Sequence, residues 1–141
     1  YLCTVADVYK RPLAGNYYAQ MKELAKTLDP KNYKLVIELH FNAFDGISNN
    51  IGHGVETQSY PGSASLKFGK AYCKAISEKY LVRNRGAKEL QEGDRGWHFV
   101  NLLKAPAIIV EPFFGDEVES LKFKNPGEYA QVLKKLICDY E

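Results

Sequence analysis

Ile37-Glu38-Leu39-His40-Phe41-Asn42-Ala43 and Ala107-Ile108-Ile109-Val110-Glu111-Pro112-Phe113-Phe114 are the two stretches on which the fold turns. Each is a short apolar run that ends on a side chain able to do chemistry, an imidazole in one and a carboxylate in the other. Apolar runs of this length read as buried strands. In an open α/β sheet, ligands bind in the crevice outside the carboxyl ends of the strands. An imidazole and a carboxylate base delivered there by two strands point to metal-assisted hydrolysis.

The rest of the chain supplies the helices that such a sheet needs. Asn16 is an N-cap for a helix to about Leu28, with Tyr17, Met21, Leu24, Ala25 and Leu28 on one face, and Asp29-Pro30 stops it. Leu35 to His40 then forms a strand, with Leu35, Ile37 and Leu39 on one side and Val36, Glu38 and His40 on the other. Residues 45–54 are a polar loop rich in Gly and Asn, followed by a strand from about Val55 to Ser59. Pro61-Gly62 leads into a helix to about Tyr80 that carries Leu66, Cys73 and Ile76. Arg83 to Gly96 reads mostly as turn and loop, with a short strand at Ala87 to Leu90, and Gly96 to Leu103 as a short helix or turn. After the Ala107–Glu111 strand, Asp116 and Glu117 begin a helix beyond Gly115, where acids suit the positive end of the dipole. Asn125-Pro126-Gly127-Glu128 opens the last helix with an N-cap, a proline at its first position and an acid at its third. Tyr129, Val132, Leu133, Leu136, Ile137 and Tyr140 then recur at helical spacing. Cys3 to Ala6 carry a faint strand pattern. Strands alternating with helices predict an α/β fold, a three-layer sandwich whose central sheet, mostly parallel or mixed, is flanked by helices.

The 141 residues hold no repeat, low-complexity tract or linker, so one domain over 1–141 is expected. Apolar content of 45% and charged content of 26% are ordinary for a globular chain. A net charge of +2, with Lys and Arg scattered along the helices, argues against a nucleic-acid partner. No run approaches the roughly 20 apolar residues of a membrane span. Cys3, Cys73 and Cys138 are odd in number and form no CxxC pair, which argues against a disulfide framework and leaves room for a single bridge. Cys73 and Cys138 fall among apolar residues on helix faces, as buried reduced thiols do.

Three motifs in register resemble the zinc-dependent N-acetylmuramoyl-L-alanine amidases of the amidase-3 type, which are bacterial and phage cell-wall hydrolases. Glu38-Leu39-His40-Phe41-Asn42-Ala43 matches the family's (S/E)-x-H-x-N-A, Gly54-Val55-Glu56 its Gly-x-Glu strand, and Pro106-Ala107-Ile108-Ile109-Val110-Glu111 its P-A-x-x-x-E. The resemblance implies that His40 is a ligand to one Zn2+ ion and that Glu111 is the catalytic base. It implies peptidoglycan as partner and the amide between N-acetylmuramic acid and L-alanine as the bond cut. The family's other two ligands, a His in a G-H-G turn and a Glu on the following helix, belong to a segment expected to precede Tyr1. The chain thus resembles a member without its first strand and helix, and the exposed sheet flank predicts self-association or pairing with another chain. The site of action implied is the cell envelope or the extracellular wall, with either a phage lysin or a host enzyme as parent.

Other side chains near the motifs have more than one reading. Glu38, two residues from His40 on one strand face, orients the imidazole, serves as a substitute ligand, or forms a plain ion pair. Asn42 ties down the loop after the strand or touches substrate. His53, in Gly52-His53-Gly54, follows the H-x-N motif and reads as a loop histidine, and His98 as a packing or solvent-facing residue. Phe113 to Asp116 follow Glu111 directly and are expected in the wall or floor of the site; the many aromatic rings suit either a glycan groove or the core. Two functional readings follow. One is a zinc amidase that hydrolyses peptidoglycan, with a carboxypeptidase-like metallohydrolase as a neighbouring chemistry. The other is a metal-free remnant of the fold that binds the wall without cutting it.

Overall fold

The computed structural model describes residues 6–11, 13, 15–44 and 53–140. In chain order the elements are α1 (Tyr17–Leu28), β1 (Val36–Leu39), β2 (Val55–Ser59), α2 (Ser65–Tyr80), β3 (Asn84–Glu89), α3 (Trp97–Leu102), β4 (Ala107–Glu111) and α4 (Pro126–Cys138). Short 3-10 helices at Asp29–Lys31 and Val118–Phe123 follow α1 and precede α4. The strands form one mixed sheet in the order β1-β4-β2-β3, with β1 parallel to β4, β4 antiparallel to β2, and β2 parallel to β3.

β4 is buried at every position, and its alternation separates two cores. Ile108 and Val110 pack with Val55, Phe68, Tyr72, Ile76 and Leu133 against α2 and α4. Ala107 and Ile109 pack with Met21, Ala25, Leu28, Phe99 and Val100 against α1 and α3. A strand sends successive side chains to opposite faces, so one run of five residues holds helices on both sides of the sheet. This is the expected three-layer α/β sandwich.

The helices begin where their caps predict. Asn16 Oδ1 accepts the Ala19 N–H at 2.9 Å, and Asn125 Oδ1 accepts those of Gly127 and Glu128 at 3.1 and 3.3 Å. The apolar stripe of α4 (Tyr129, Val132, Leu133, Leu136, Ile137), with Tyr140 beyond it, lies against the first core.

Four expectations need correction. β3 covers Asn84–Glu89 rather than Ala87 to Leu90; it is an outer strand of polar sequence, held by parallel pairing to β2. Leu39 was expected with Leu35 and Ile37 in the core but is 53% exposed, because β1 is an outer strand and ends there. Cys138 is exposed, whereas Cys73 is buried beside Thr57, its thiol pushed up to about 11 by burial. Asp116 and Glu117 do not open an α-helix at its dipole: Asp116 accepts the Phe44 N–H at 3.0 Å, and Glu117 is buried ahead of the 3-10 segment. Of the faint strand over 3–6 only Ala6 is described, and it is not in a strand; the loop over 45–54 lies outside the described residues apart from His53 and Gly54.

Gly69 shows how closely α2 approaches the sheet. A Cβ there would stand 2.5 Å from Thr57 Oγ1 and 3.0 Å from Ile108 Cδ1. Alanine gains about 1 kcal/mol of helix propensity, but forcing a methyl into a filled interface costs about 1–3 kcal/mol. Thr57 is buried on a central strand and cannot swing aside. Gly69→Ala is therefore expected to lower the unfolding free energy by up to about 2 kcal/mol, measured by urea titration; a more stable variant would show that the helix can lift away.

Candidate functional site

The α1/α3 face of the sheet carries a row of polar side chains on its four strands. Val36 packs in the second core, so Glu38 shares that face and His40, just beyond β1, continues the alternation. Glu111 follows Ala107 and Ile109 on the same face of β4. On β2, Val55 belongs to the first core, which leaves Glu56 and Gln58 on the side of Glu111. Arg85 and Lys88 of β3 reach Glu56 from beyond it.

His40 and Glu111 meet at the carboxyl ends of two parallel neighbours. The His40 backbone N–H donates to Val110 O at 3.1 Å, which extends the β1–β4 ladder by one residue and holds the imidazole beside Glu111. His40 Nδ1 lies 3.7 Å from Glu111 Oε1 and 3.1 Å from Phe41 O. A carbonyl can only accept, so the Phe41 contact is a hydrogen bond when Nδ1 carries the proton, leaving Nε2 to offer a lone pair. The Glu111 carboxylate raises the His40 pKa above the ordinary imidazole value, burial opposing and Glu38 reinforcing it.

Glu111 and Glu56 are register partners across the antiparallel β4–β2 pair, 6% and 2% exposed. Like charges placed directly opposite destabilise a sheet. Here they are separated chemically. Arg85 Nε and Lys88 Nζ donate to Glu56 Oε2 at 2.5 and 2.7 Å, while Gln58 Nε2 donates to Glu111 Oε2 at 3.2 Å and reaches Glu56 Oε1 at 3.5 Å. Burial alone would raise the Glu56 pKa, but the bonds from Lys88 and Arg85 outweigh it and hold the carboxyl below its usual range. Glu111 keeps Oε1 toward His40 and has Oε2 tethered.

The flanking candidates have other partners. Glu38 accepts from Arg11 at 3.0 Å and Tyr17 Oη at 3.5 Å; burial raises its pKa against the charges of Arg11 and His40. Asn42 pins the turn after β1: its N–H donates to Phe113 O at 2.9 Å, its carbonyl accepts the Gly115 N–H at 2.8 Å, and its Oδ1 accepts the Ala43 N–H at 2.9 Å. His98 packs against the rings of Tyr17 and Tyr18. His53 lies between the rings of Phe44 and Phe114, with Nε2 3.3 Å from the enclosed carboxylate of Glu117. Among the described residues no group of three or more His, Cys, Asp or Glu side chains is arranged to hold a metal ion. Catalytic zinc takes three protein ligands, so the described donors do not by themselves fit a complete zinc centre.

Gln58, Arg85 and Lys88 are the residues that sequence reading missed, and Glu56 was seen only as part of a motif. Period-two alternation from Val55 would have placed Glu56 and Gln58 together; nothing in the polar run Asn84–Glu89 marks its cations as their partners.

Glu56→Gln is expected to cost about 1–3 kcal/mol at neutral pH, through loss of charge-assisted bonds. The stabilisation from Glu56 is present above the unfolded carboxyl value of about 4.3 and is lost as pH falls through the depressed folded value. Urea titrations should therefore show the gap between wild type and variant narrowing as the pH falls below the unfolded carboxyl value. A gap independent of pH would deny that the ion pairs carry it.

A comparison with curated protein sequences finds no match. Among solved structures, the chain is similar to the catalytic domain of the CD27L endolysin, described as targeting Clostridia difficile, at 27% identity and a TM-score of 0.72, covering 94% of this chain and 68% of that one. An N-acetylmuramoyl-L-alanine amidase from Clostridium difficile 630 is 22% identical with a TM-score of 0.66, over 84% of this chain and 61% of that one. The catalytic domain of CwlV, from Bacillus (Paenibacillus) polymyxa var. colistinus, is 18% identical with a TM-score of 0.68, over 85% and 64%. The last two likenesses are of fold, and the chain spans about three-fifths to two-thirds of the length of these relatives. The model of the N-acetylmuramoyl-L-alanine amidase family matches residues 7–139, and the chain belongs to that family.

Proposed function

We propose that the chain acts on peptidoglycan, hydrolysing the amide between the lactyl group of N-acetylmuramic acid and L-alanine. The observation that carries this reading is the His40–Glu111 pair, 3.7 Å apart on adjacent strands, within a family match over 7–139. Glu111 is the general base: Oε1 takes a proton from the attacking water and returns it to the departing amide nitrogen. Gln58 holds Oε2, so the carboxylate presents one oxygen to the reaction. Enclosure of Glu111 excludes competing water, and Glu56 draws Lys88 and Arg85 away from it.

Zinc is part of the proposal, with His40 as the ligand that the described residues would supply. Such an ion would polarise a carbonyl and acidify a water. The site of action is the cell envelope or extracellular wall, and no described helix is long and apolar enough to cross a membrane. The outermost position of β1 in the described sheet supports self-association there, expected as a dimer in light scattering; a monomer at high concentration counts against it.

A second reading, a wall-binding remnant that does not cut, corresponds to a chain in which the donors among the described residues are not completed to a metal centre. Digestion of purified peptidoglycan followed by mass spectrometry separates the two. The amidase releases intact stem peptides beginning with L-alanine, and Glu111→Gln slows release by about 10²–10⁴-fold with little change in thermal stability. Stoichiometric zinc in the wild type and its loss in His40→Ala complete the case. Sedimentation with the wall, without zinc and without cleavage, establishes the remnant instead.

A further inference from the structure

Phe41 has a setting that packing does not explain. It follows His40 directly and is 58% exposed. Its ring is nonetheless backed on one side, stacked on Phe113 with an interplanar angle of 1° and centroids 6.1 Å apart. Phe113 rests on Phe123 at 4.7 Å, and Phe123 on Tyr80 at 4.1 Å. Gly115 lies against the ring as well: a Cβ there would come within 2.7 Å of Phe41 Cδ2. The backbone beside it is tied through Asn42 to Phe113 and Gly115. An exposed ring normally loses side-chain freedom when a ligand covers it; this one is already fixed, which removes that cost from binding. Its centroid lies 6.3 Å from that of His40, with the two planes tilted by 31°, so the exposed ring adjoins the proposed reaction centre.

We propose that Phe41 is the platform on which the pyranose ring of N-acetylmuramic acid stacks, positioning the lactyl carbonyl beside His40 and Glu111. The inference rests on the amidase reading and adds the part of the substrate that this wall of the site takes. In that substrate the sugar is joined to the scissile carbonyl through one carbon and one ether oxygen, so a ring adjoining His40 is placed for it. The negative face of an aromatic ring attracts the weakly positive C–H groups of a pyranose. Chemistry favours the sugar over the stem peptide at this ring, because a flat aromatic face offers a pyranose its C–H contacts but offers a peptide carboxylate no partner. The cations of the row, Arg85 and Lys88, lie on the far side of Glu111, across β2. The substrate would then cross the carboxyl edge of the sheet, with its sugar at Phe41 beside the end of β1 and its peptide along the row toward β3.

The test uses the full chain with three probes: purified sacculi, N-acetylmuramoyl-L-alanyl-D-isoglutamine, and the free L-alanyl-D-isoglutamine dipeptide. Phe41→Ala is expected to weaken binding of the muramoyl probe about tenfold, the equivalent of about 1.4 kcal/mol, with no change for the free dipeptide. Phe41→Trp restores binding, whereas Phe41→Leu, apolar but without a ring face, does not. In digestion the loss falls on KM rather than on kcat. Equal affinity of wild type and Phe41→Ala for the muramoyl probe overturns the inference and leaves the amidase reading standing, as does an equal loss for the free dipeptide. A wild type that neither binds nor cleaves sacculi overturns both. Thermal denaturation of each variant shows whether a loss reflects misfolding, and Phe41→Trp decides the matter if Phe41→Ala proves unstable.

Discussion

Burial of Glu111 at the end of β4 is the constraint to which the rest of the site answers. An ionised carboxylate taken from water needs compensation, and the strand on each side of β4 supplies part of it. β1 brings His40 to one oxygen, and β2 brings Gln58 to the other. The same β4–β2 register sets Glu56 opposite Glu111, creating a second buried carboxylate that β3 has to neutralise with Arg85 and Lys88. Strand order and charge order thus support one another. A slip of one residue between β2 and β4 would send Glu56 and Gln58 to the α2 side and leave Glu111 without its amide donor.

The turn after β1 and the segment after β4 are held as firmly as the strands. The bridge between Asn42 and Phe114 continues the parallel pairing beyond the sheet, and Asp116 secures Phe44 across it. Glu119 accepts the Gly54 N–H at 2.7 Å and the Phe114 N–H at 3.4 Å, joining the approach to β2 to the exit from β4. Beneath lie His53 and Glu117, packed among Phe44 and Phe114, with Arg85 over the Phe114 ring at 5.1 Å. Arg85 therefore serves both the buried carboxylate of Glu56 and the aromatic floor. The acids of this segment act on backbone and imidazole groups rather than on a helix dipole, because the chain there forms a 3-10 turn folded back on the sheet.

What was legible in the residues differs from element to element for physical reasons. α1 and α4 follow from caps and stripes that are local, so Asn16, Asn125 and the spacing of Tyr129 to Ile137 suffice to place them. β4 follows from a run whose burial on both faces selects apolar side chains, whereas β2, buried but mostly polar (Val55–Ser59), follows from its place after the Gly- and Asn-rich loop. β3 was underestimated because an outer strand needs no apolar face; its pairing with β2 is a long-range contact that Asn84–Glu89 does not advertise. Leu39 and Cys138 were misplaced for the converse reason, since a regular pattern runs on past the point where the neighbouring element ends.

By itself the sequence determined which side chains stand at the carboxyl ends of β1 and β4, because strand length and alternation are local properties. It also determined the helices that cover the sheet. Only the tertiary structure decided that β4 lies between β1 and β2, and therefore that His40, Glu111, Gln58 and Glu56 form one row with Lys88 and Arg85 at its far end. The reason is that strand order and register arise from contacts between segments tens of residues apart, where each strand's pattern is compatible with several neighbours. The choice among them is made by burying all the apolar faces and neutralising all the enclosed charges at once.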